Sequence, residues 1–385
     1  MPIQLYRNAS AHCQPSSPQE SRVVSLQSAA KARSVIGQWS GYAPTPLRRL
    51  TPLARRLGLG DILYKDESGR FSLGSFKALG GAYAATLEVQ RLLRKQGFEA
   101  TPQELIDGIW ARAAAGIMVG CATDGNHGVS VAYAAQRMGC PCTIYMHQHA
   151  SSGREQHMLR LGATVRRTAG TYDDSVRIAR EAIGNLGGAL IADTSVAPFE
   201  QVPAEVIQGY TVMLHEIFDQ HQGAGPTHVF VQGGVGGLAA ACAGYLAERF
   251  GAQRPMVVVV EPHTAACLLA SARLGRAARV DGDLETVMGM LSCGEASPIA
   301  WIILRERCDA FMSIDDGAAV RARDLLSSNA DGFSLSVGLS GAAGLAGLME
   351  LMDSPVQAAA LGLDSASRVL VFGTEAAERD SATSQ

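Results

Sequence analysis

The chain has 385 residues, of which 47% are apolar and 18% are charged, and its formal net charge is −3. This length allows two domains of ordinary size, and the composition is typical of a compact folded protein rather than a disordered one. The charge leaves no basic surplus for binding nucleic acid, and the longest apolar runs, such as residues 256–260, are too short to cross a membrane.

The N-terminal end lacks the continuous apolar stretch of a signal peptide, so none is predicted. The eight cysteines follow no disulfide framework. Cys140 and Cys142 form the closest pair, and no second pair completes a zinc site. We therefore expect reduced cysteines, a cytoplasmic protein and no bound metal.

Residues 1–40 are polar and of mixed composition, and Pro15 and Pro18 enclose two serines. This composition predicts a mobile or loosely packed segment. Order is expected from about residue 41, and the first clear strand is predicted at residues 62–65.

Two series of alternating strands and helices follow. The first predicts strands at 117–121, 143–146, 164–167 and 190–191, and helices at 129–138, 152–161 and 172–186. The second predicts strands at 228–231, 256–260 and 368–372, and helices at 238–250 and 341–352. This alternation is typical of an α/β fold class with two open, twisted, mostly parallel sheets and helices on both faces. We expect a large domain of residues 41–115 and 206–385, a small domain of residues 116–205, and a cleft between them.

Lys77 lies in a run of small and apolar residues, 75–81, shortly after the predicted strand at 62–65. A lysine in a partly desolvated site loses its charge more readily and can act as an amine nucleophile. A lone lysine at a helix start is more often an ordinary surface residue. Two further loops favour the functional interpretation, because residues 123–128 and 232–237 each follow a strand and open a helix, where α/β folds bind ligands.

The loop at 232–237 reads Gln-Gly-Gly-Val-Gly-Gly. Bare backbone amides at a helix N-terminus favour an anion such as a phosphate. The loop lacks the Lys-Ser/Thr ending of a nucleoside-triphosphate P-loop. A dinucleotide site stays open, because Glu261 follows at the end of the next strand, where a ribose-binding acid would lie. Close packing of helix on sheet would explain the glycines equally.

The loop at 123–128 contains two polar candidates. Asn126 could hydrogen-bond a ring hydroxyl. Asp124 is either a helix cap or, in a cleft beside a reactive lysine, a general acid or base.

The lysine, the asparagine loop and the glycine loop, in this order, resemble the fold type II (tryptophan-synthase-type) pyridoxal-phosphate enzymes. Within them the chain looks like the diaminopropionate ammonia-lyase group from about residue 41 to about residue 375. Asp124 is a mark of that group, since other fold type II dehydratases usually have a small residue there. The segments that carry the resemblance are 41–47, 65–68, 74–81, 123–128, 170–175, 193–195, 208–210, 226–229 and 293–295.

The resemblance implies pyridoxal 5'-phosphate in the large domain and α,β-elimination that ends in pyruvate and ammonia. Lys77 would hold the cofactor aldehyde as a Schiff base and act as the base for one enantiomer of the substrate. Asp124 would act as the base for the other enantiomer, and Asp193 would lie near the substrate amino group. The implied cofactor-binding residues are Lys77, Phe76, Asn126, Gly233, Gly234, Val235, Gly236, Gly237 and Thr374.

Two segments depart from the pattern of the group. Leu339 stands where a glutamate is common, and Ala376 and Ala377 follow Glu375 where a glycine and acidic residues are common. These departures leave room for another β-substituted amino acid as substrate. The alternatives are a serine/threonine- or hydroxyaspartate-type dehydratase or a β-replacing synthase, then an NAD-dependent oxidoreductase, then a non-catalytic binding protein. We expect a small amino-acid substrate, a homodimer, and no nucleic-acid or membrane partner.

Overall fold

A computed structural model describes residues 3–11, 14–123, 125–148, 150, 152–170, 172–329 and 332–378. Within these ranges the strands are β1 (Gln4–Arg7), β2 (Leu47–Arg49), β3 (Asp61–Asp66), β4 (Val119–Ala122), β5 (Cys142–His147), β6 (Thr164–Thr168), β7 (Ala189–Leu190), β8 (His228–Gln232), β9 (Met256–Pro262), β10 (Ala310–Ile314) and β11 (Arg368–Gly373).

The helices of the same ranges lie between these strands and cover both sheets. They are α1 (Pro18–Val23), α2 (Leu26–Ile36), α3 (Thr51–Arg56), α4 (Lys77–Lys95), α5 (Pro102–Ile106), α6 (Ala111–Ala114), α7 (Asn126–Met138), α8 (Ser152–Arg160), α9 (Tyr172–Asn185), α10 (Gln201–Gln220), α11 (Gly237–Phe250), α12 (Cys267–Leu274), α13 (Pro298–Arg307), α14 (Asp316–Ser327), α15 (Leu339–Met352) and α16 (Pro355–Ala360).

The larger sheet has the strand order β1-β10-β9-β8-β11-β3-β2. Its inner pairs are parallel, and the edge strands β1 and β2 run antiparallel to their neighbours. Strands β8 and β10 are buried along their whole length, and β9 and β11 in all but their first residue. Continuous apolar strands of this kind are expected where helices cover both faces of a parallel sheet.

The smaller sheet has the order β6-β5-β4-β7 and is parallel throughout. Its strands all fall between residues 119 and 190, whereas the strands of the larger sheet fall outside that interval. The predicted α/β fold class with two mostly parallel sheets is therefore confirmed. The domain limits at residues 116 and 205 stay a prediction.

The N-terminal segment differs from the prediction of a mobile or loosely packed region. Strand β1 adds an antiparallel edge to β10, and α2 buries Ala29, Ala32 and Ile36 completely. The spacing of these three residues makes one narrow apolar stripe on a helix, which the polar composition of the segment conceals. Glu20 of α1 also forms a buried ion pair with Arg307 of α13. No helix of the described residues is both long and apolar enough to cross a membrane.

Candidate active site

The three predicted loops meet in one cleft at the carboxyl ends of strands from both sheets. The cleft encloses about 940 Å³, including its open mouth. Lys77, Phe76, Asn126, Asp193, Thr374 and residues 234–237 line it. Gly233 is not among the lining residues, and Asp124 lies outside the described residues, although its neighbours Thr123 and Gly125 line the cleft.

Lys77 is the first residue of α4 and points its amine at a carboxylate. Its backbone N–H donates to Ser75 Oγ at 3.2 Å, and its Nζ donates to Asp193 Oδ2 at 2.7 Å. Burial alone would lower the pKa of the amine, but the charge of Asp193 outweighs it and holds the pKa well above its usual value. In this state Lys77 is therefore an ammonium ion.

Asp193 follows the short strand β7 and is the other half of this pair. Burial would raise the pKa of its carboxyl, but the Lys77 charge, together with the Lys77 hydrogen bond, lowers it well below its usual range. The chain after Asp193 is held by Ser195, whose backbone N–H donates to Ser297 Oγ at 3.2 Å and whose Oγ accepts from Ile299 N–H at 3.0 Å. The carboxylate is thus carried by a segment fixed to the start of α13.

Two glycines bring the lysine helix α4 against α10. A Cβ at Gly80 would lie 2.4 Å from Tyr210 Cε1, and a Cβ at Gly209 would lie 2.1 Å from Leu79 O. Such contacts are too short for any side chain, so glycine is required at both positions. The close approach places the Tyr210 ring 4.7 Å from the Phe76 ring, centroid to centroid, and 5.7 Å from Lys77 Nζ. Two aromatic rings therefore form an apolar wall beside the amine.

Asn126 and His127 open α7 on the opposite side of the cleft. Asn126 Nδ2 donates to Glu375 Oε2 at 2.7 Å. His127 Nε2 is paired with Ile191 O at 2.8 Å, and burial lowers the pKa of the imidazole. A neutral ring that donates from Nε2 leaves Nδ1 as an acceptor, and this buried atom has no hydrogen-bond partner within the described part of the chain.

The glycine loop connects β8 to α11. Gly233 N–H donates to Val260 O at 2.8 Å and so belongs to the sheet. Gly236 has φ +102°, a conformation that favours glycine. A Cβ at Gly234 would come within 3.2 Å of Cys293 Sγ. The amides at the start of α11 therefore face the cleft without side chains in the way, where the helix dipole favours an anion.

Gln232, the last residue of β8, and Thr374, directly after β11, also line the cleft. Gln232 Nε2 donates to Thr374 Oγ1 at 2.9 Å, and also to the carbonyls of Gly341 and Phe372. Leu339 and Ser340 begin α15 nearby, and Ser340 Oγ accepts from Met290 N–H at 3.0 Å. Thr374 is thus held in place by a buried amide.

Sequence reasoning missed Gln232, Tyr210 and Glu375 as lining residues. Gln232 is the last residue of a buried apolar strand and Glu375 follows another, so polar residues at strand ends were the available signal. Glu261, considered as a ribose-binding acid, instead accepts the backbone N–H groups of Leu268 and Leu269, both at 2.7 Å. Burial raises the pKa of its carboxyl to about 8, and it does not line the cleft.

The amino-acid sequence is similar to those of known enzymes. A family model described as pyridoxal-phosphate dependent enzyme matches residues 39–372. The chain belongs to this family. It is 37% identical over 353 residues to the diaminopropionate ammonia-lyase of Salmonella typhimurium, covering 87% of this chain and 85% of that protein. It is 36% identical to the Escherichia coli K12 diaminopropionate ammonia-lyase, covering 91% of this chain and 88% of that protein.

A solved structure gives the same relationship. The chain superposes with a TM-score of 0.86 and 33% identity on the Escherichia coli diaminopropionate ammonia-lyase in complex with an aminoacrylate-PLP azomethine reaction intermediate, covering 97% of this chain and 94% of that chain. Another structure of that enzyme, in complex with D-serine, gives a TM-score of 0.87 at 32% identity, covering 97% of this chain and 94% of that chain.

The residues of the cleft fit pyridoxal phosphate. Lys77 would supply an amine for the aldehyde, and the bare amides of residues 234–237 would supply a cradle for the phosphate. Thr374 supplies a hydroxyl at the far end, and Phe76 supplies an apolar edge. The cleft thus offers an amine, an anion cradle and a polar end within one space.

Proposed function

We propose that this protein catalyses the pyridoxal-phosphate-dependent α,β-elimination of ammonia from 2,3-diaminopropionate, in its L-form and also its D-form. The observation that carries the proposal is the pairing of Lys77 with Asp193 in a cleft that also contains the glycine cradle. The similarity to two diaminopropionate ammonia-lyases along most of both chains supports this substrate.

The overall reaction converts one diaminopropionate and one water into one pyruvate and two ammonia. The α-proton must leave, the bond from the β-carbon to nitrogen must break, and water must then release the second amine. When bound, the cofactor ring takes up the electron pair that proton removal leaves on the α-carbon. The remaining tasks are binding, orientation and proton transfer, and they belong to the side chains of the cleft.

Each site residue has a proposed task. Lys77 holds the cofactor and takes the α-proton of one enantiomer, since its amine lies on one side of the cleft. Asp124, between two lining residues, takes the α-proton of the other enantiomer. Asp193 orients the substrate amino group, because it is the carboxylate within hydrogen-bond distance of the Lys77 amine.

The remaining proposed tasks concern the cofactor. Gly233 shapes the strand end that leads into the loop, and Gly234, Val235, Gly236 and Gly237 hold the phosphate. Asn126 and Phe76 contact the ring, and Thr374 lies at its nitrogen. The positions of these residues at the start of α7, the start of α4 and the end of β11 support the assignment.

Homodimer assembly and a cytoplasmic location are part of the same proposal. Buried thiols such as Cys121, Cys242 and Cys308 are consistent with a reducing compartment. The two-domain division at residues 116 and 205 is supported by the confinement of the smaller sheet to residues 119–190. Size-exclusion chromatography with light scattering measures the assembly.

The test of the function is the release of a 2-oxo acid from a panel of amino acids by the purified holoenzyme. The 2-oxo acid is pyruvate from diaminopropionate and serine, 2-oxobutyrate from threonine and oxaloacetate from hydroxyaspartate. The panel contains L- and D-diaminopropionate, L- and D-serine, L-threonine and hydroxyaspartate. The proposal expects the largest kcat/KM for a diaminopropionate enantiomer, with ammonia and pyruvate in a 2:1 ratio. A larger kcat/KM for a hydroxy amino acid, with a 1:1 ratio, would make the protein a dehydratase instead.

A further inference from the structure

Glu375 is a carboxylate of the cleft to which the tasks above give no role. It follows Thr374 directly, its backbone bridges to Ser75, and its carbonyl accepts from Gly338 N–H at 3.0 Å. Its side chain is only 8% exposed, yet it lines the cavity and accepts from Asn126 Nδ2 at 2.7 Å. The backbone contacts on both sides fix where this carboxylate points.

Among the described residues, the charges around the cavity compensate the Glu375 carboxylate only weakly. Lys77 and Asp193 form a close pair and neutralise each other. Arg154 Nη2 lies 3.8 Å from Glu375 Oε2 but only 2.8 Å from Glu378 Oε1, so its closer ion pair is with Glu378. Burial raises the pKa of the Glu375 carboxyl, as expected for an acid without a full counter-charge. The negative charge of the Glu375 carboxylate would therefore stabilise a cation bound in the cavity.

Diaminopropionate is a small amino acid that carries two amino groups. One of them has to reach the lysine end of the cleft, where Asp193 already lies. The second, on the β-carbon, is an ammonium group that must also be desolvated when the substrate enters. A buried ammonium without a carboxylate partner is strongly unfavourable, whereas a buried hydroxyl needs only a hydrogen bond. A site for this substrate therefore requires a carboxylate for each amino group. Among the described lining residues the carboxylates are Asp193, at the lysine end, and Glu375.

We propose that Glu375 binds the β-ammonium group of the substrate and so selects an amino over a hydroxyl leaving group. This inference rests on the proposed function and assigns a specificity-determining residue to it. Glu375 keeps the β-nitrogen in its protonated form, –NH3⁺. When the bond from the β-carbon to nitrogen breaks, the electron pair of the bond passes to nitrogen and neutral NH3 departs. No proton has to be supplied at that moment, and the α-proton is taken separately by the base.

The variant that tests the inference is Glu375→Gln. Glutamine keeps the size of the side chain, and its carbonyl still accepts the hydrogen bond from Asn126, so the charge is removed while this contact is kept. The matched control is Glu378→Gln, because Glu378 also pairs with Arg154 but its side chain is 54% exposed and does not line the cavity. The two variants remove the same charge from the two sides of one arginine.

Both variants are compared with the unmodified holoenzyme on 2,3-diaminopropionate and on β-chloroalanine, whose leaving group carries no positive charge. We expect Glu375→Gln to lower kcat/KM for diaminopropionate about 100-fold or more and to change kcat/KM for β-chloroalanine less than about threefold. Glu378→Gln should change neither. The cofactor absorbance of both variants should match that of the unmodified protein, which shows that Asn126 and the cleft are intact.

Three results would overturn the inference. An equal fall for both substrates would mean that Glu375 acts only by orienting Asn126, and no fall would mean that it does not bind the ammonium. If β-chloroalanine is not turned over, the affinity for D-serine, followed through the cofactor absorbance, replaces it, because the serine hydroxyl carries no charge. A weaker affinity of Glu375→Gln for D-serine would mean that Glu375 does not act by recognising the charge of the ammonium group. Failure of the unmodified enzyme to act on diaminopropionate would instead reject the proposed function itself.

Discussion

Glu216 of α10 is a buried carboxylate on which two buried cations depend. Its Oε2 accepts from Lys65 Nζ at 2.7 Å, and its two oxygens accept from Arg70 Nη1 and Nη2, both at 2.7 Å. The side chains of all three residues are at most 2% exposed. Glu67 is the other carboxylate of this cluster and also contacts Arg70. The cluster is neutral as it stands, so Glu216→Gln leaves one buried positive charge without compensation.

The expected cost of this change is large. Removing one partner of a buried ion pair destabilises a protein by about 3–5 kcal/mol, because the remaining charge stays buried. An unfolding entropy of about 2.1 cal/mol/K per residue gives a chain of this length roughly 0.8 kcal/mol/K. The melting temperature should therefore fall by about 4–6 °C.

The assay is differential scanning calorimetry of the holoenzyme at pH 7, with Asp219→Asn as the control. Asp219 lies on the same helix and pairs with Arg33, but both side chains are about half exposed, and exposed pairs contribute only about 0.2–1 kcal/mol. A melting temperature for Glu216→Gln within about 1 °C of the control would refute the reasoning.

The stability difference between the unmodified protein and Glu216→Gln should also depend on pH. Burial would raise the pKa of Glu216, but the hydrogen bonds and charges of Arg70 and Lys65 outweigh it and lower the pKa. A carboxyl with a lowered pKa stabilises the fold fully above its unfolded pKa, and the stability is lost as the pH falls through the folded value. The difference between the unmodified protein and Glu216→Gln should stay constant from about pH 5 to 8 and shrink only below about pH 4.5.

Three further predictions concern the cleft. Borohydride reduction of the holoenzyme, followed by peptide mass spectrometry, should find the pyridoxyl adduct on Lys77, and an adduct on another lysine would reject the assignment. Gly234→Val should weaken cofactor retention in equilibrium dialysis while the circular dichroism spectrum is unchanged, because its Cβ would already lie 3.2 Å from Cys293 Sγ; full occupancy would count against the cradle. Asp124→Asn should lower turnover of D-diaminopropionate by roughly 10²–10⁴-fold and that of the L-form much less. An equal fall for both forms would make it a shared acid, and no fall would make it a helix cap.

Where the chain has continuous apolar runs, sequence patterns predicted the fold well. The strand predicted at 256–260 is observed as β9, and the helix predicted at 129–138 is observed as α7, which begins three residues earlier at Asn126. A strand buried on both faces needs an apolar residue at every position, so it can be read from its own residues alone. The loops at 123–128 and 232–237 could be located for the same reason, since each directly follows a buried strand.

Features that depend on distant partners could not be predicted in this way. Strand β1 is an edge strand that owes its place to β10, and its residues have no pattern that would mark them alone. Helix α10 is buried for most of its length through contacts with α2, α4 and α11. Glu375 could be noted as polar after a strand, but its contact with Asn126 joins residues that are 249 positions apart.

The charge of Lys77 could not be predicted from its neighbours along the chain, because its partner Asp193 lies on a distant segment. A desolvated amine was expected to lose its proton more readily. Burial does lower the pKa of the amine, but the charge of Asp193, 116 positions along the chain, raises the pKa by more and keeps the amine protonated. The ammonium must therefore give up a proton before the amine can attack an aldehyde. Under the proposed function the Lys77 nitrogen would be bound to the cofactor, and the Asp193 carboxylate would then be available to the amino group of the substrate. The proposed function thus gives the Asp193 carboxylate two partners, the Lys77 ammonium in the absence of the cofactor and the substrate amino group in its presence.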